Sequence, residues 1–142
     1  MKTKQQIYEF IGSQKTAFIS SVDEDGFPNT KAMFVPRKIE GDSFYFTTNT
    51  SSMRSQQFMN NSKACIYFYH RGRFRYEGIM LIGNMEVLQN EEIKKEIWRD
   101  GDIMYYKKGV DDPDYCVLKF TAVKGRHYYD LKTESFTMKD LE

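Results

Sequence analysis

Four residues with hydroxyl or guanidinium side chains stand close together where a strand-like run gives way to a helix-like run. They are Thr47, Thr48, Ser52 and Arg54. A helix start offers free backbone N–H groups and the positive end of the helix dipole, and both favour an anion. The expected first turn has no Asp or Glu, and its arginine can bind two phosphate oxygens at once. The junction therefore predicts a phosphate site, and the simpler alternative is a serine cap beside a solvated arginine.

The surrounding stretch is free of acids. No Asp or Glu occurs in the 34 residues from Ser43 to Tyr76, which carry five basic side chains, whereas the rest of the chain has a net charge of −4. Positive potential concentrated in one stretch suits a small anionic ligand. The alternative is that two buried strands lie here, because buried strands exclude acids in any case.

A second candidate region is the strand-like segment that contains Lys31, Ala32, Met33 and Phe34, in which a cation alternates with apolar residues. A strand edge can present backbone donors and acceptors to the polar edge of a flat heteroaromatic ring. Lys31 would then stabilise negative charge on a reduced ring. On the alternative interpretation, Lys31 is an outward strand lysine and Met33 is part of the core.

Short strands joined by turns dominate the pattern that must position these residues. The predicted strands are Thr16–Val22, 29–35, 43–48, 64–69, 75–88, 115–123 and 126–131, and the predicted helices are 4–11, a short one within 50–60, and 91–98. Gly78 and Gly83 suggest bends or bulges, and Asn90 can cap the third helix. Because few helices intervene between strands, we expect an antiparallel sheet closed into a small barrel, in one domain spanning residues 1–142.

Composition excludes several classes of protein. A net charge of +1 is too balanced for a dedicated nucleic-acid binder. The two histidines, His70 and His127, have no partner at ligand spacing, so we expect no metal site. Cys65 and Cys116 are expected to be free thiols. Because no apolar run can cross a bilayer and no signal-peptide pattern occurs at the start, we expect no membrane association and a cytoplasmic location.

Two segments in order resemble the pyridoxamine 5'-phosphate oxidase-like flavoproteins: Phe27–Val35, then, after a turn, Phe46–Arg54. The stretch Gly109–Tyr115, followed by Val117–Phe120, is similar to the general stress protein 26 branch of that family. The resemblance covers the chain from Thr16 to Asp130 and depends on the order and spacing of the segments. It implies a mainly β (α+β) fold, a six-stranded antiparallel split β-barrel with a few short helices, and FMN bound at a homodimer interface.

The same resemblance implies roles for the candidate residues. Lys31, Ala32, Met33 and Phe34 would lie against the isoalloxazine ring of FMN. The ribityl phosphate would be bound by Thr47, Thr48, Ser52 and Arg54. The chain departs from the true oxidases at three positions, since Met53 and Pro36 replace basic residues and Gly78 replaces a glutamine. The C-terminal segment that binds pyridoxal phosphate in those enzymes is not recognisable, which argues against pyridoxamine phosphate oxidase activity.

We therefore expect an FMN-dependent oxidoreductase that acts on a small redox substrate, with no side chain as nucleophile. The alternatives are a non-catalytic stress protein that binds flavin or haem, and a deazaflavin-dependent reductase. Trp98 would wall the flavin pocket or simply pack in the core or dimer interface. The loop that contains Arg71, Arg73 and Arg75 is interpreted as a solvated hairpin loop, and the alternative is that it attracts an anionic substrate or a nicotinamide cofactor. The aspartates around Pro113 are interpreted as a structural turn.

Overall fold

The computed structural model describes residues 2–142, which form a single eight-stranded antiparallel sheet with three α-helices. The strands are β1 (Thr16–Val22), β2 (Pro28–Phe34), β3 (Lys38–Glu40), β4 (Ser43–Asn49), β5 (Lys63–Arg71), β6 (Tyr76–Leu88), β7 (Tyr115–Tyr129) and β8 (Lys132–Thr137). Their order is β2-β1-β5-β6-β7-β4-β3, and β8 also pairs with β7. The predicted antiparallel, mainly β class is confirmed, but the sheet has eight strands rather than six.

The sheet is split rather than closed. The long strand β7 pairs with β6, and its other edge is shared by two strands, because β4 pairs with residues 115–121 and β8 with residues 124–129. In the described chain β2 and β3 lie at the two ends of the strand order and do not pair with each other. The predicted closure into a barrel is therefore wrong at the level of backbone hydrogen bonds, and β2 is left as an edge strand.

Two strands were not predicted, and one predicted break does not exist. β3 has only three residues, two of them charged, and β8 buries only Phe136, so neither shows an alternating apolar pattern. β7 continues through Gly125, where we had placed a break. A Cβ atom there would lie 2.5 Å from the carbonyl oxygen of Met80, so this glycine permits close strand packing and does not form a turn.

Gly83 is the site of the one register shift along β6 and β7. The pairing passes from Ile82 opposite Lys124 to Gly83 opposite Ala122, which leaves Val123 as the extra residue of a β-bulge. A Cβ on Gly83 would lie 2.0 Å from the carbonyl oxygen of Thr121. The bulge predicted at Gly83 is confirmed. None occurs at Gly78, which pairs in regular register with Tyr69 and Tyr128.

The helices are α1 (Lys4–Ser13), α2 (Met53–Asn60) and α3 (Glu91–Ile97), and short 3₁₀ turns span Asp100–Met104, Gly109–Asp111 and Met138–Leu141. Helix α1 starts at a capping box formed by Thr3 and Gln6 and continues two residues beyond the predicted end at Ile11. Asn90 precedes α3, but its side chain makes no capping hydrogen bond, contrary to our prediction.

Two clusters of buried apolar side chains hold the fold together. The larger packs α1 and Phe58 of α2 against the inner face of the sheet. The smaller contains Tyr45, Ile97, Tyr106, Tyr115 and Val117. In this second cluster Tyr106, from the segment that follows α3, packs against side chains of β4 and β7. The packing holds that segment in place as one wall of the cleft described below.

Cys65 and Cys116 are both free thiols, as expected. None of the helices in residues 2–142 combines the length and apolar character that a membrane span requires. The same residues contain no group of three or more His, Cys, Asp or Glu side chains placed to hold a metal ion.

Candidate functional site

All eight candidate residues line two adjoining clefts between β2, the end of β4 and the start of α2. The first cleft has a volume of about 400 Å³ and is lined by Lys31, Ala32, Met33, Phe34, Thr47, Thr48 and Arg54. The second, of about 480 Å³, is lined by Ser52 together with Lys31 and Arg54. Because Lys31, Asn49 and Arg54 belong to both, the two spaces form one continuous groove, which we call the joined clefts.

Arg54 is the central charge of this groove. Its Nη2 donates to Thr48 Oγ1 at 2.9 Å, while its buried Nε has no hydrogen-bond partner. Burial lowers the pKa of Arg54 below its ordinary value. Among residues 2–142 no carboxylate lies within ion-pair distance of the guanidinium. A half-buried cation with an unused donor and no acid partner is costly unless an anion from outside the chain binds it.

Ser52 has a structural task at the start of α2. It is the N-cap, and its Oγ accepts a hydrogen bond from the backbone N–H of Ser55 at 3.2 Å. The same hydroxyl lies 2.9 Å from Ser55 Oγ. The predicted helix start is confirmed, and the absence of acids from the first turn leaves Arg54 as its charged residue.

An acid from a distant part of the chain lies beside this helix start. Asp114 accepts hydrogen bonds from Asn49 Nδ2 at 2.7 Å and from the backbone N–H of Ser51 at 2.8 Å. These bonds lower the pKa of Asp114 below its ordinary value. Asp114 thus fixes the turn between β4 and α2, which the acid-free sequence of that stretch could not reveal.

The strand β2 forms the other side of the groove. It pairs only with β1, so its outer edge has no strand partner in the described chain, and Phe34 at its end is 76% exposed. Lys31 and Ala32 are also exposed, whereas Met33 packs against the core. Backbone groups on a free strand edge are available to a ligand, as the prediction for this segment required.

Sequence reasoning missed the wall opposite β2. The first cleft is also lined by Asp102, Tyr105 and Tyr106, which lie between the predicted helix 91–98 and the predicted strand 115–123, where no element or site was predicted. Arg37 fixes this wall through an ion pair with Asp102, whose Nη2–Oδ1 distance is 2.6 Å. Arg37 also donates to the carbonyl oxygen of Ile97 at 3.2 Å.

Tyr106 is 6% exposed, and its ring packs on that of Tyr115 with 5.1 Å between centroids. Burial raises the pKa of Tyr106 to about 12, so its hydroxyl stays protonated at neutral pH. It is therefore a neutral polar group in the cleft that also contains Arg54.

Several other candidates lie outside the joined clefts. Trp98 packs on Tyr115 and Tyr106 in the smaller cluster, which agrees with the core-packing interpretation. Arg71, Arg73 and Arg75 are exposed around the β5–β6 turn. Neither histidine lines a cleft, since His70 is exposed and His127 Nε2 lies 2.6 Å from Glu77 Oε2. The acid-free stretch thus contributes only Arg54 to the groove among its five cations.

Comparison with known proteins shows the family and a similar solved structure. The sequence model of the pyridoxamine 5'-phosphate oxidase family matches residues 3–129. A crystal structure from Clostridium acetobutylicum, described as a protein related to general stress protein 26 of B. subtilis and of the pyridoxinephosphate oxidase family, is 35% identical. That similarity covers 97% of this chain and 96% of the other, with a TM-score of 0.84.

Other similarities are more distant. A pyridoxine/pyridoxamine 5'-phosphate oxidase of Agrobacterium fabrum is 28% identical over 82 residues, which are 58% of this chain and 38% of the enzyme. The chain thus spans well under half of the curated relatives it matches. A heme binding protein from Mycobacterium smegmatis is 12% identical, with a TM-score of 0.71 over 93% of this chain and 56% of the other, which shows a shared fold alone.

Proposed function

Because the chain belongs to the pyridoxamine 5'-phosphate oxidase family, in its general stress protein 26-like branch, we propose that the joined clefts bind FMN and that the protein is an FMN-dependent oxidoreductase. The observation that carries this proposal is Arg54, a half-buried guanidinium with an unpartnered Nε and no acid partner in residues 2–142. A phosphate group supplies the anion that such a cation lacks. The planar guanidinium of Arg54 can donate two parallel hydrogen bonds to phosphate oxygens, which the ammonium group of a lysine cannot do.

The residues around Arg54 fit the rest of the phosphate. Thr48 already contacts the guanidinium and Thr47 lines the same cleft, so we assign both hydroxyls to the ribityl phosphate. Ser52 would contribute indirectly: it caps α2 and so stabilises the helix N-terminus, whose dipole favours a phosphate. The carboxylate of Asp114 accepts hydrogen bonds from Asn49 and Ser51 and, within the described residues, forms no ion pair with Arg54.

The flavin ring would lie along the free edge of β2 at Lys31, Ala32, Met33 and Phe34. When bound, FMN supplies two-electron redox chemistry. The chain's own contribution is to bind and orient the ring and to stabilise negative charge, which is the role we assign to the ammonium group of Lys31. Tyr105 and Tyr106 on the opposite wall would contact the other side of the ligand. No step requires a nucleophilic side chain.

A second copy of the chain is the proposed cover of the groove. The register places Phe18 opposite Ala32 and Tyr67, so these three side chains share the outer face of the sheet, together with Phe34 and Tyr69 two residues further along their strands. Phe18, Phe34 and Tyr69 are 37%, 76% and 43% exposed. A continuous aromatic surface next to a ligand groove is typical of a protein interface. A solution mass of one 16.8 kDa chain for the FMN-loaded protein would contradict this dimer.

The oxidoreductase proposal is tested by the purified protein itself. We expect a yellow protein whose heat-released ligand has the mass of FMN. With NADH or NADPH as donor, it should reduce quinones, nitroimidazoles or oxygen in the steady state. A flavin-loaded protein that turns over none of these acceptors would favour the non-catalytic binding role, and a deazaflavin absorbance spectrum would favour a deazaflavin-dependent reductase.

Haem binding is the other candidate, since one protein of the same fold is named for it. A haem in this groove would need an axial ligand, and neither histidine lines it. His127 is buried between Glu77, its hydrogen-bond partner, and the ring of Tyr129, 4.5 Å away between centroids. Replacing His70 and His127 by alanine should therefore leave cofactor binding intact, whereas loss of binding in the His70 variant would favour haem.

A further inference from the structure

Two neighbouring β-turns project apolar side chains into solvent at one end of the sheet. Phe74 lies in the turn Gly72–Arg75, which a hydrogen bond from Gly72 N–H to the Arg75 carbonyl oxygen closes at 2.7 Å, and its side chain is 87% exposed. Leu131 lies in the turn between β7 and β8 and is 90% exposed. We call these two turns the paired tips.

The paired tips are held beside each other. The backbone N–H of Leu131 donates to the hydroxyl of Tyr76 at 3.3 Å, and Arg75 Nη1 lies 3.6 Å from Asp130 Oδ2. Phe74 and Leu131 therefore belong to one surface, although 57 positions separate them in the sequence.

Leu131 is an unfavourable residue for its turn. Asp130 and Leu131 adopt φ values of 45° and 65°, a left-handed conformation that glycine or asparagine takes at much lower cost than leucine. Its side chain recovers none of this cost through packing, because it is almost fully exposed. The fold alone therefore gives no reason for a leucine at this position.

Cations surround the two apolar side chains. Arg71, Arg73, Arg75 and Lys132 are all exposed, and the guanidinium of Arg73 lies 5.2 Å from the centroid of the Phe74 ring. In the tip segments 71–75 and 130–132 the one acid is Asp130, which Arg75 already pairs with. The surface thus combines apolar tips with a surplus of positive charge.

We propose that the paired tips dock the protein on an anionic lipid surface. Phe74 and Leu131 enter the headgroup region, while the arginines bind lipid phosphates through their guanidinium groups. Both tips are convex, so a rigid protein partner would need two matching pockets, whereas a lipid layer deforms around any shape. This contact would lie at the membrane surface without a spanning segment, so it revises our sequence-based expectation of no membrane association. It does not depend on the joined clefts or on FMN.

Co-sedimentation with lipid vesicles tests this proposal on the full chain. We expect binding to phosphatidylcholine vesicles that contain phosphatidylglycerol, little binding to phosphatidylcholine alone, and release as salt is raised. Phe74→Ser and Leu131→Asn should each weaken binding about tenfold, and Arg73→Gln about fivefold. Asparagine tolerates the left-handed conformation, so Leu131→Asn should unfold at the same or a higher temperature and a folding defect cannot explain its loss of binding.

Matched controls carry the same substitutions elsewhere. Phe27 is 67% exposed in the acidic turn after β1, and Lys95 is an exposed cation of α3. Phe27→Ser and Lys95→Gln should leave vesicle binding unchanged. The proposal is overturned if the wild type fails to sediment with anionic vesicles or if Phe27→Ser weakens binding as much as Phe74→Ser. It is also overturned if the tip variants change the solution mass, because the tips would then cover a second copy.

Discussion

Replacing Arg54 by alanine is expected to weaken FMN binding by about 1.5–3 kcal/mol, which raises Kd about 10-fold to 150-fold. This is the range for a charge-assisted hydrogen bond, and the structure gives Arg54 no competing acid in residues 2–142. Titration of the apo variant with FMN, followed by flavin fluorescence, measures the change. The same Kd for variant and wild type would remove Arg54 from the phosphate site.

The apo form of this variant should be at least as stable as the wild type. Arg54 is desolvated, and within residues 2–142 its guanidinium donates a hydrogen bond to Thr48, so removal of the desolvated charge should offset the loss of this bond. Arg54→Lys keeps the charge without the planar fork and should bind FMN with intermediate affinity. Lys63→Ala removes an exposed cation from the same acid-free stretch and should leave the Kd for FMN unchanged. Equal losses at Lys63 and Arg54 would indicate a general charge effect.

Replacing Arg37 by methionine is expected to lower the free energy of unfolding by about 3–5 kcal/mol at neutral pH. The variant leaves the carboxylate of Asp102, which is 4% exposed, without its cation, and an uncompensated buried charge is costly. Chemical denaturation measures the loss. The ion pair also holds the segment that carries Tyr105 and Tyr106, so the affinity for FMN should fall in parallel.

The pH dependence distinguishes this mechanism from lost packing. Burial alone would raise the pKa of Asp102, but the hydrogen bonds from Arg37 and from the backbone N–H of Arg99 lower it below its ordinary value. This carboxylate therefore stabilises the wild type above the ordinary aspartate pKa of about 3.9, and the contribution is lost as the pH falls through the lowered pKa. Without Arg37, we expect burial to raise the pKa of Asp102. The difference in free energy of unfolding between variant and wild type should therefore become smaller as the pH falls.

The double variant Arg37→Met with Asp102→Asn provides the matched control. Removing both charges leaves no uncompensated carboxylate, so the double variant should be more stable than Arg37→Met alone. Its difference from the wild type in free energy of unfolding should also vary less with pH. A double variant that is less stable than the single one at every pH would contradict the buried-charge explanation.

Local patterns predicted the part of the site that is contiguous in sequence. Residues 47–54 form a strand end, a turn and a capped helix, and each of these has a signal within a few residues. β2 was also predictable, because a turn with Gly26 precedes its alternating residues. Ser52 was correctly placed at the helix start.

The opposite wall could not be predicted, because distant pairing creates it. Asp114 reaches the helix start because β4 pairs with β7, which places Asn49 opposite Tyr115. The ion pair between Asp102 and Arg37, 65 positions apart in the sequence, holds the segment with Tyr105 and Tyr106 at the cleft. Short charged 3₁₀ turns have no periodic apolar pattern, and the same lack of pattern hid the short strand β3 and the polar strand β8.

The comparison of FMN with riboflavin tests the central claim most directly, since the two flavins differ only by the phosphate group. Apo protein is titrated with each flavin, and the same titrations are repeated with Arg54→Ala. The account predicts that the wild type binds FMN at least tenfold more tightly than riboflavin, and that the variant loses most of this preference. Equal affinity of the wild type for the two flavins, or a preference that survives the loss of Arg54, would contradict it.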